Sequence, residues 1–200
     1  AASDDDTGHA SYNADWDLEH ATGAIETQVA FTDQLQQTWT GKLATITVTI
    51  FDDMVGSDGE MSLREAVMQA NITGDTIDLT TIAAGTFPPP NLGAHDDSAA
   101  TGDLDITGTV TNIGIDAAST VINGNGTDRV FEIIDGSLTM SDVTIENGNI
   151  SDKGGGIFVK GNTSQLTLDR VIVQNNFGTN GAGIFNEGTI TLTDVIIANN

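Results

Sequence analysis

Two groups of side chains are of the types that acid–base, lyase or metal chemistry uses. Asp142, Arg170 and Asp194 recur at the same place in three aligned segments, so stacking those segments would put acid, guanidinium and acid in one column. Carboxylates beside a cation can take up a proton and hold the charge that develops in a transition state. A catalytic cluster of the kind polysaccharide lyases carry also needs a cleft, further acids and usually calcium. The simpler reading, adopted here, is an alternating charge ladder that sets register and offsets like-charge repulsion. The second group is Asp52, Asp53, Asp58 and Glu60. Hard oxygen donors on a Gly-containing loop suit Ca²⁺, but their spacing departs from the D-x-D-x-D-G loop, so a solvated acidic turn competes with a metal site.

Other chemistries are not favoured. His9, His20 and His95 lie in acidic or loop contexts without metal-ligand spacing, and there is no cysteine. Thiol catalysis, a disulfide framework and a zinc–thiolate site are therefore excluded. No G-x-S-x-G elbow occurs, and the GNGTDR run (124–129) lies between strands and opens no helix, which argues against a nucleotide site. Six basic residues against 29 acidic ones give a net charge of -23 over 200 residues. That excludes a nucleic-acid binder with a basic face and disfavours an anionic membrane surface. No apolar run approaches the roughly 18 residues of a membrane span.

The elements that would position these groups divide the chain in three. Residues 1–41 form an acidic arm, beginning AASDDDTGHASYNADWD and thin in apolar residues. Within it, residues 24–39 fit a weak helix and a broken strand about equally. Residues 42–75 are a capping segment: a strand over 42–51 (KLATITVTIF), an acidic turn and a helix over 62–71. Ser62 and Glu65 have the spacing of a capping box, and Leu63, Ala66, Val67 and Ala70 form an apolar stripe on that helix.

Residues 76–200 repeat. LTMSDVTIENG (138–148), LTLDRVIVQNN (166–176) and ITLTDVIIANN (190–200) align without gaps, with GGGIF (154–158) and GAGIF (181–185) between them. The segments start 28 and then 24 residues apart, whereas the GIF elements are 27 apart. One extra residue therefore lies before Gly156 and three lie in KGNTSQ (160–165). A period in the twenties built of short strands marks a solenoid, here of about four coils.

Stacking such coils points Leu138, Leu166 and Ile190 inward, with Met140, Leu168 and Leu192, and Thr139, Thr167 and Thr191 outward. Val143, Val171 and Val195 also face inward, as do Ile145, Val173 and Ile197. Asn147, Asn175 and Asn199 fall at one corner, where amides can bond along the stack. Phe158 and Phe185 repeat and read as core. Ile172 and Ile196 share an outward column with Thr144, which calls for a cover: a loop, the arm or a partner.

The run TVTIFDDMVGSDGEMSLREAVMQAN, followed by GDTIDL, GDLDITG, NGTDRVFEI and the GGGI…LTL…NN repeats, resembles bacterial right-handed parallel β-helix proteins with a CSLREA-type capping segment. The repeats are also similar to those of polymorphic outer-membrane proteins. The resemblance covers residues 43–200 and departs at Met61, where the family carries Cys. It implies an all-β, short right-handed parallel β-helix, secreted or surface-anchored, and commonly one module of a larger adhesin-like protein. It implies no particular reaction.

The reading of function is accordingly a non-enzymatic structural or self-assembly module, adhesin-like or a filament subunit. The alternative is a polysaccharide-binding or polysaccharide-cleaving β-helix. The opening at Ala1 without Met or an apolar leader reads as a mature, extracellular or cell-surface chain whose signal peptide has been removed, or as a fragment. The final strands, 190–197, would bare their backbone edge and the core. The expected partners are further coils of a longer chain or copies of the same one, meeting Ile190, Leu192, Val195 and Ile197 at the end and Ile172 and Ile196 on the side. Cell-surface glycans are a further candidate partner, and Ca²⁺ a candidate cofactor.

Overall fold

The structure, a computed structural model, describes residues 44–56, 58–87 and 99–200; the arm over 1–41 and its 24–39 stretch lie outside them. The described chain opens with strand β1 (Thr45–Thr47) and helix α1 (Leu63–Thr73), then winds through repeated turns. The first turn is β2 (Thr76–Asp78), β3 (Gly85–Phe87) and β4 (Leu104–Ile106). The second is β5 (Thr109–Ile113), β6 (Thr120–Asn123) and β7 (Phe131–Ile134). The third adds a side, as β8 (Ser137–Ser141), β9 (Thr144–Glu146), β10 (Asn149–Lys153) and β11 (Ile157–Lys160). The fourth repeats it as β12 (Gln165–Asp169), β13 (Ile172–Gln174), β14 (Phe177–Asn180) and β15 (Ile184–Asn186). β16 (Thr189–Thr193) and β17 (Ile196–Ala198) start another.

All pairings are parallel and between neighbouring turns, which makes a parallel β-solenoid of about five turns rather than the four expected. The difference comes from residues 76–106. Their apolar pattern is weak, yet they close a full turn of their own through β3, whose Phe87 is buried. Of the strand expected over 42–51, the described part is Thr45–Thr47: the Val48 N–H still bonds the Asp78 carbonyl at 3.3 Å, but those of Thr49 and Ile50 turn to the Met61 carbonyl.

The repeat arithmetic appears in the register. β10 pairs β14 with a shift between Ile150 and Lys153, which locates the extra residue as a bulge. β11 and β15 stay in step, and the three further residues lie between them and the next pairing, Gln165 with Thr189.

In-register pairing stacks side chains into columns. Val110, Leu138, Leu166 and Ile190 form one; Ile46, Ile77, Asn112, Met140, Leu168 and Leu192 form the next. Asn112 is an intruder in this apolar column, fully buried with its Oδ1 lacking a hydrogen-bond partner.

Corners require left-handed backbone. Asp142, Arg170 and Asp194 have φ of 59°, 53° and 51°, and Asn147, Asn175 and Asn199 have 56°, 55° and 56°. Asn and Asp adopt this region more readily than other non-glycine residues. The amide ladder itself, however, runs one position further on. Asn176 Oδ1 accepts from the Gly148 N–H at 2.8 Å, and Asn176 Nδ2 donates to Asn200 Oδ1 at 3.0 Å. The corner asparagines therefore meet the backbone requirement, while Asn176 and Asn200, the residues after two of them, reach inward to their neighbours.

Helix α1 covers the edge of β4, the terminal strand of its sheet. Ser62 Oγ accepts from the Glu65 N–H and Glu65 Oε2 accepts from the Ser62 N–H, so the capping box forms, and Gly74 ends the helix at φ 76°. Asn71 is still helical. Its Nδ2 donates to the Asp105 carbonyl at 2.7 Å, and its Oδ1 accepts from the N–H groups of Thr107 and Gly108 at 3.0 and 3.1 Å. Any Cβ on Gly108 would lie 2.2 Å from the Asn71 carbonyl oxygen, which is why glycine stands there.

Arg64, fully buried, donates to the carbonyls of Ala99 (2.8 Å), Gly102 (2.7 Å) and Asp103 (3.3 Å) and pairs with Asp53 at 2.9 Å. The helix thus supplies edge groups with the partners that a neighbouring strand would otherwise give. Removing that supply leaves buried carbonyls and a carboxylate unpaired. Arg64→Met is predicted to cost roughly 3–5 kcal/mol in urea unfolding, against about 1 kcal/mol for loss of the cap in Ser62→Ala. The opposite sign is predicted for Asn112→Leu, which removes an unsatisfied polar group and should stabilise by about 1–2 kcal/mol in the same measurement.

Candidate functional site

Charge concentrates on the outer face of the sheet β4–β7–β11–β15. Along these strands Leu104, Phe131, Ile157 and Ile184 form an inward column, as do Ile106, Ile133 and Val159. The residues between them must therefore face out: Asp105, Glu132, Phe158 and Phe185, aligned by the same register. Phe158 and Phe185 consequently lie on the outer face rather than in the central cluster their repetition implied, although Phe158 is buried there at 7% exposure and Phe185 half-buried. The period of two reverses the assignment, because Ile157 and Val159 on either side of Phe158 already fill the interior.

Asp103, Asp105 and Glu132 each offer a carboxylate oxygen within 4.8 Å of the others, all three buried. Oxygen donors of this kind could hold a metal such as Ca²⁺ or Mg²⁺. Here they meet protein cations. Arg129 Nη1 contacts Glu132 and lies 3.3 Å from Asp103, and Lys160 Nζ is 2.9 Å from the other Glu132 oxygen. Asp105 accepts from the Ala99 N–H at 2.9 Å. Ionised groups removed from water are tolerated only when paired in this way.

The aromatic half continues the network. The Arg129 guanidinium carbon sits 5.1 Å from the Phe158 ring centroid, and Lys153 Nζ sits 5.5 Å from Phe158 and 4.9 Å from Phe185. The two rings meet edge to face at 5.6 Å. Lys153 also pairs with Glu187 at 2.6 Å, which with the Gly161 N–H holds the Glu187 carboxyl below the usual carboxylate range. Three of the chain's six basic residues thus converge on this face. What the arrangement does best is fix four successive strands and the 99–103 segment to one another.

The residues singled out in sequence are dispersed. Asp53 is engaged by Arg64, Glu60 accepts from Thr49 Oγ1 at 2.7 Å, and Asp58 accepts from the Glu60 N–H at 3.0 Å. Asp52 lines a small cavity beside Asp53 and Arg64. Among the described residues, the carboxylates within ligating distance of one another are those of the buried triad instead.

Sequence reasoning passed over that triad because it looked for acids in loops. The usable signal was an acid between two apolar residues in successive turns, LDI (104–106) and FEI (131–133), with GNGTDR supplying the arginine.

In the Asp142–Arg170–Asp194 column, Arg170 donates from Nε and Nη2 to both Asp142 oxygens at 2.7 Å and also contacts Asp169. Asp194 is exposed. The pair is bidentate and surface-lying, and it supplies one rung of the expected ladder: the second acid that Arg170 contacts is Asp169, not Asp194.

Ile172 and Ile196 sit above Thr144 in register. Thr144 is covered by the 116–119 loop, its Oγ1 donating to the Ala117 carbonyl at 2.6 Å, while Ile172 is half-buried and Ile196 is 56% exposed. Ile190 and Val195 are partly buried against the core, and Leu192 and Ile197 are exposed.

The hydrogen bonds from Arg170 lower the Asp142 pKa from its ordinary value and raise that of the arginine. A carboxyl with a depressed folded-state pKa contributes stability that is present above its unfolded pKa and lost as pH falls through the folded one. NMR titration of Arg170→Ala is predicted to return Asp142 to the ordinary range, and the variant should lose less stability than the parent on acidification.

Comparison with known proteins adds one match: a family model, a domain of unknown function (DUF4347), matches residues 1–43. No curated protein and no solved structure matches the chain.

Proposed function

We propose that this chain is a secreted or cell-surface structural module, non-enzymatic, that works by stacking coil upon coil. The observation that carries this reading is the in-register stacking of each turn on the next, which holds through to β16 and β17. Leu192 and Ile197 occupy columns in which Leu168 and Val173 below them are completely buried, yet they are 43% and 50% exposed. β15, β16 and β17 are each the terminal strand of their sheet. The end therefore offers the same backbone edge and the same apolar columns that every lower turn uses to hold the next. A further coil, from the same polypeptide or another copy, would find its register already set.

Burying side chains of this size is worth about 1.5–3 kcal/mol each, and edge pairing adds to it. The paired and covered carboxylates of the candidate site fit a scaffolding role, since their charges are met by Arg129 and Lys160. Adhesion or filament growth would both draw on this end.

Analytical ultracentrifugation of the 200-residue chain is predicted to show concentration-dependent self-association. The double variant Leu192→Asp/Ile197→Asp should be monomeric at the same concentrations with unchanged circular dichroism. A monomeric parent chain at high concentration would refute stacking by copies, and an unchanged double variant would refute this face.

A further inference from the structure

We propose that the groove formed by Asn123, Asn125, Asn147, Asn149, Asn175 and Phe177 binds a neutral saccharide. It is an open depression of about 350 Å³ at the corner where β6, β9 and β13 end and the β10–β14 ribbon begins, within the range of about 300–1,000 Å³ typical of ligand pockets. Asn147 and Asn175 stack on successive turns, about 4.8 Å apart by the strand separation, and Asn125, one position out of that column on the turn before, lines the same groove. An extended oligosaccharide presents hydroxyls along such a groove.

The side chains have bonding capacity to offer. Among the described residues, no hydrogen bond involves the side-chain amides of Asn125 or Asn175, whereas Asn147 Nδ2 donates to Glu146 and Asn149 Nδ2 to the Gly126 carbonyl, both at 3.3 Å, leaving each Oδ1 open. Asn123 is the fixed wall. Its Nδ2 donates to Glu146 at 3.2 Å and its Oδ1 accepts from the Asn125 N–H at 2.7 Å. An amide is donor and acceptor at once, the pairing that a sugar hydroxyl satisfies from both sides. The left-handed corner conformation accounts for Asn as a backbone choice; it does not account for several open amides and an aromatic ring facing one groove.

Phe177 supplies the platform. The residue is 60% exposed, although its backbone is held on both sides. Its N–H donates to the Gly148 carbonyl at 2.7 Å, it pairs with Asn149, and a Cβ on Gly155 would lie 2.0 Å from its carbonyl oxygen. An exposed ring beside amides, on a backbone fixed by pairing, can stack on the C–H face of a pyranose. An anionic ligand is disfavoured because the chain carries -23 charges and Glu146 lies against the groove wall. Polyanionic glycans and phosphates are repelled. The groove is on the flank of the stack, so this proposal stands independently of stacking at the 189–198 end.

The test uses the 200-residue chain with short neutral gluco-, manno-, xylo- and galacto-oligosaccharides, and polygalacturonate as the anionic comparator. Binding is read by calorimetry and by NMR shifts. One neutral series is expected to bind and to shift the amide signals of Asn125, Asn147, Asn175 and Phe177. Phe177→Ala should weaken that binding by about tenfold or more, and Phe177→Trp should keep it. The pair Asn125→Gly/Asn175→Gly, which retains a residue suited to positive φ, should weaken it comparably with an unchanged melting midpoint. Failure of every neutral series to bind, binding of polygalacturonate alone, or binding indifferent to both Phe177→Ala and the glycine pair would overturn the proposal.

Discussion

The structure depends on in-register parallel pairing between each turn and the next. Once Leu166 lies on Leu138 and Ile190 on Leu166, every other residue of the turn is placed, because side-chain direction alternates strictly along each strand. The corners must then change direction without leaving the register, and left-handed residues accomplish this. Asp142, Arg170 and Asp194 do so at one corner, and Asn147, Asn175 and Asn199 at another. Arginine is the least suited of these to positive φ, and it is the one with a bidentate carboxylate on the turn below. The ion pair offsets at this position a backbone cost that asparagine and aspartate incur less.

A solenoid built this way has an end problem, and the described chain solves it at its start with a few polar side chains. The carbonyls beside β4 receive the buried guanidinium of Arg64, while Asn71 serves both a donor and two acceptor needs at that edge. In a chain with only six basic residues, Arg64 holds the cap, and Arg129, Lys153 and Lys160 hold the outer face of one sheet. Scarcity makes each of these placements consequential. Removing one cation leaves buried acids with one charged partner fewer.

The outer surfaces serve different ends. The β4–β7–β11–β15 face is closed over by its own charges and rings. The 116–119 loop closes the face above Thr144. The asparagine corner beside Phe177 is left open, and there the residues that turn the chain also present hydrogen-bonding groups to solvent.

The sequence alone determined the solenoid, the capping box, the inward columns and even the bulge in β10, because each is a local pattern repeated at a fixed period. It also determined that Arg170 meets an acid, since 142 and 170 occupy the same place in aligned segments. What only the tertiary structure decided is which outward positions are buried. Asp105 and Glu132 look solvent-facing by alternation, but residues 99–103 and Arg129 fold over them. Phe158 and Phe185 were assigned to the interior by repetition and belong to that outer face instead. Likewise Asp53 is drawn from the acidic turn to Arg64 by the docking of the helix. Such contacts join segments of unrelated periodicity, so no spacing within one segment encodes them. The coil period places backbone and core; the covering of its faces depends on where irregular segments come to rest.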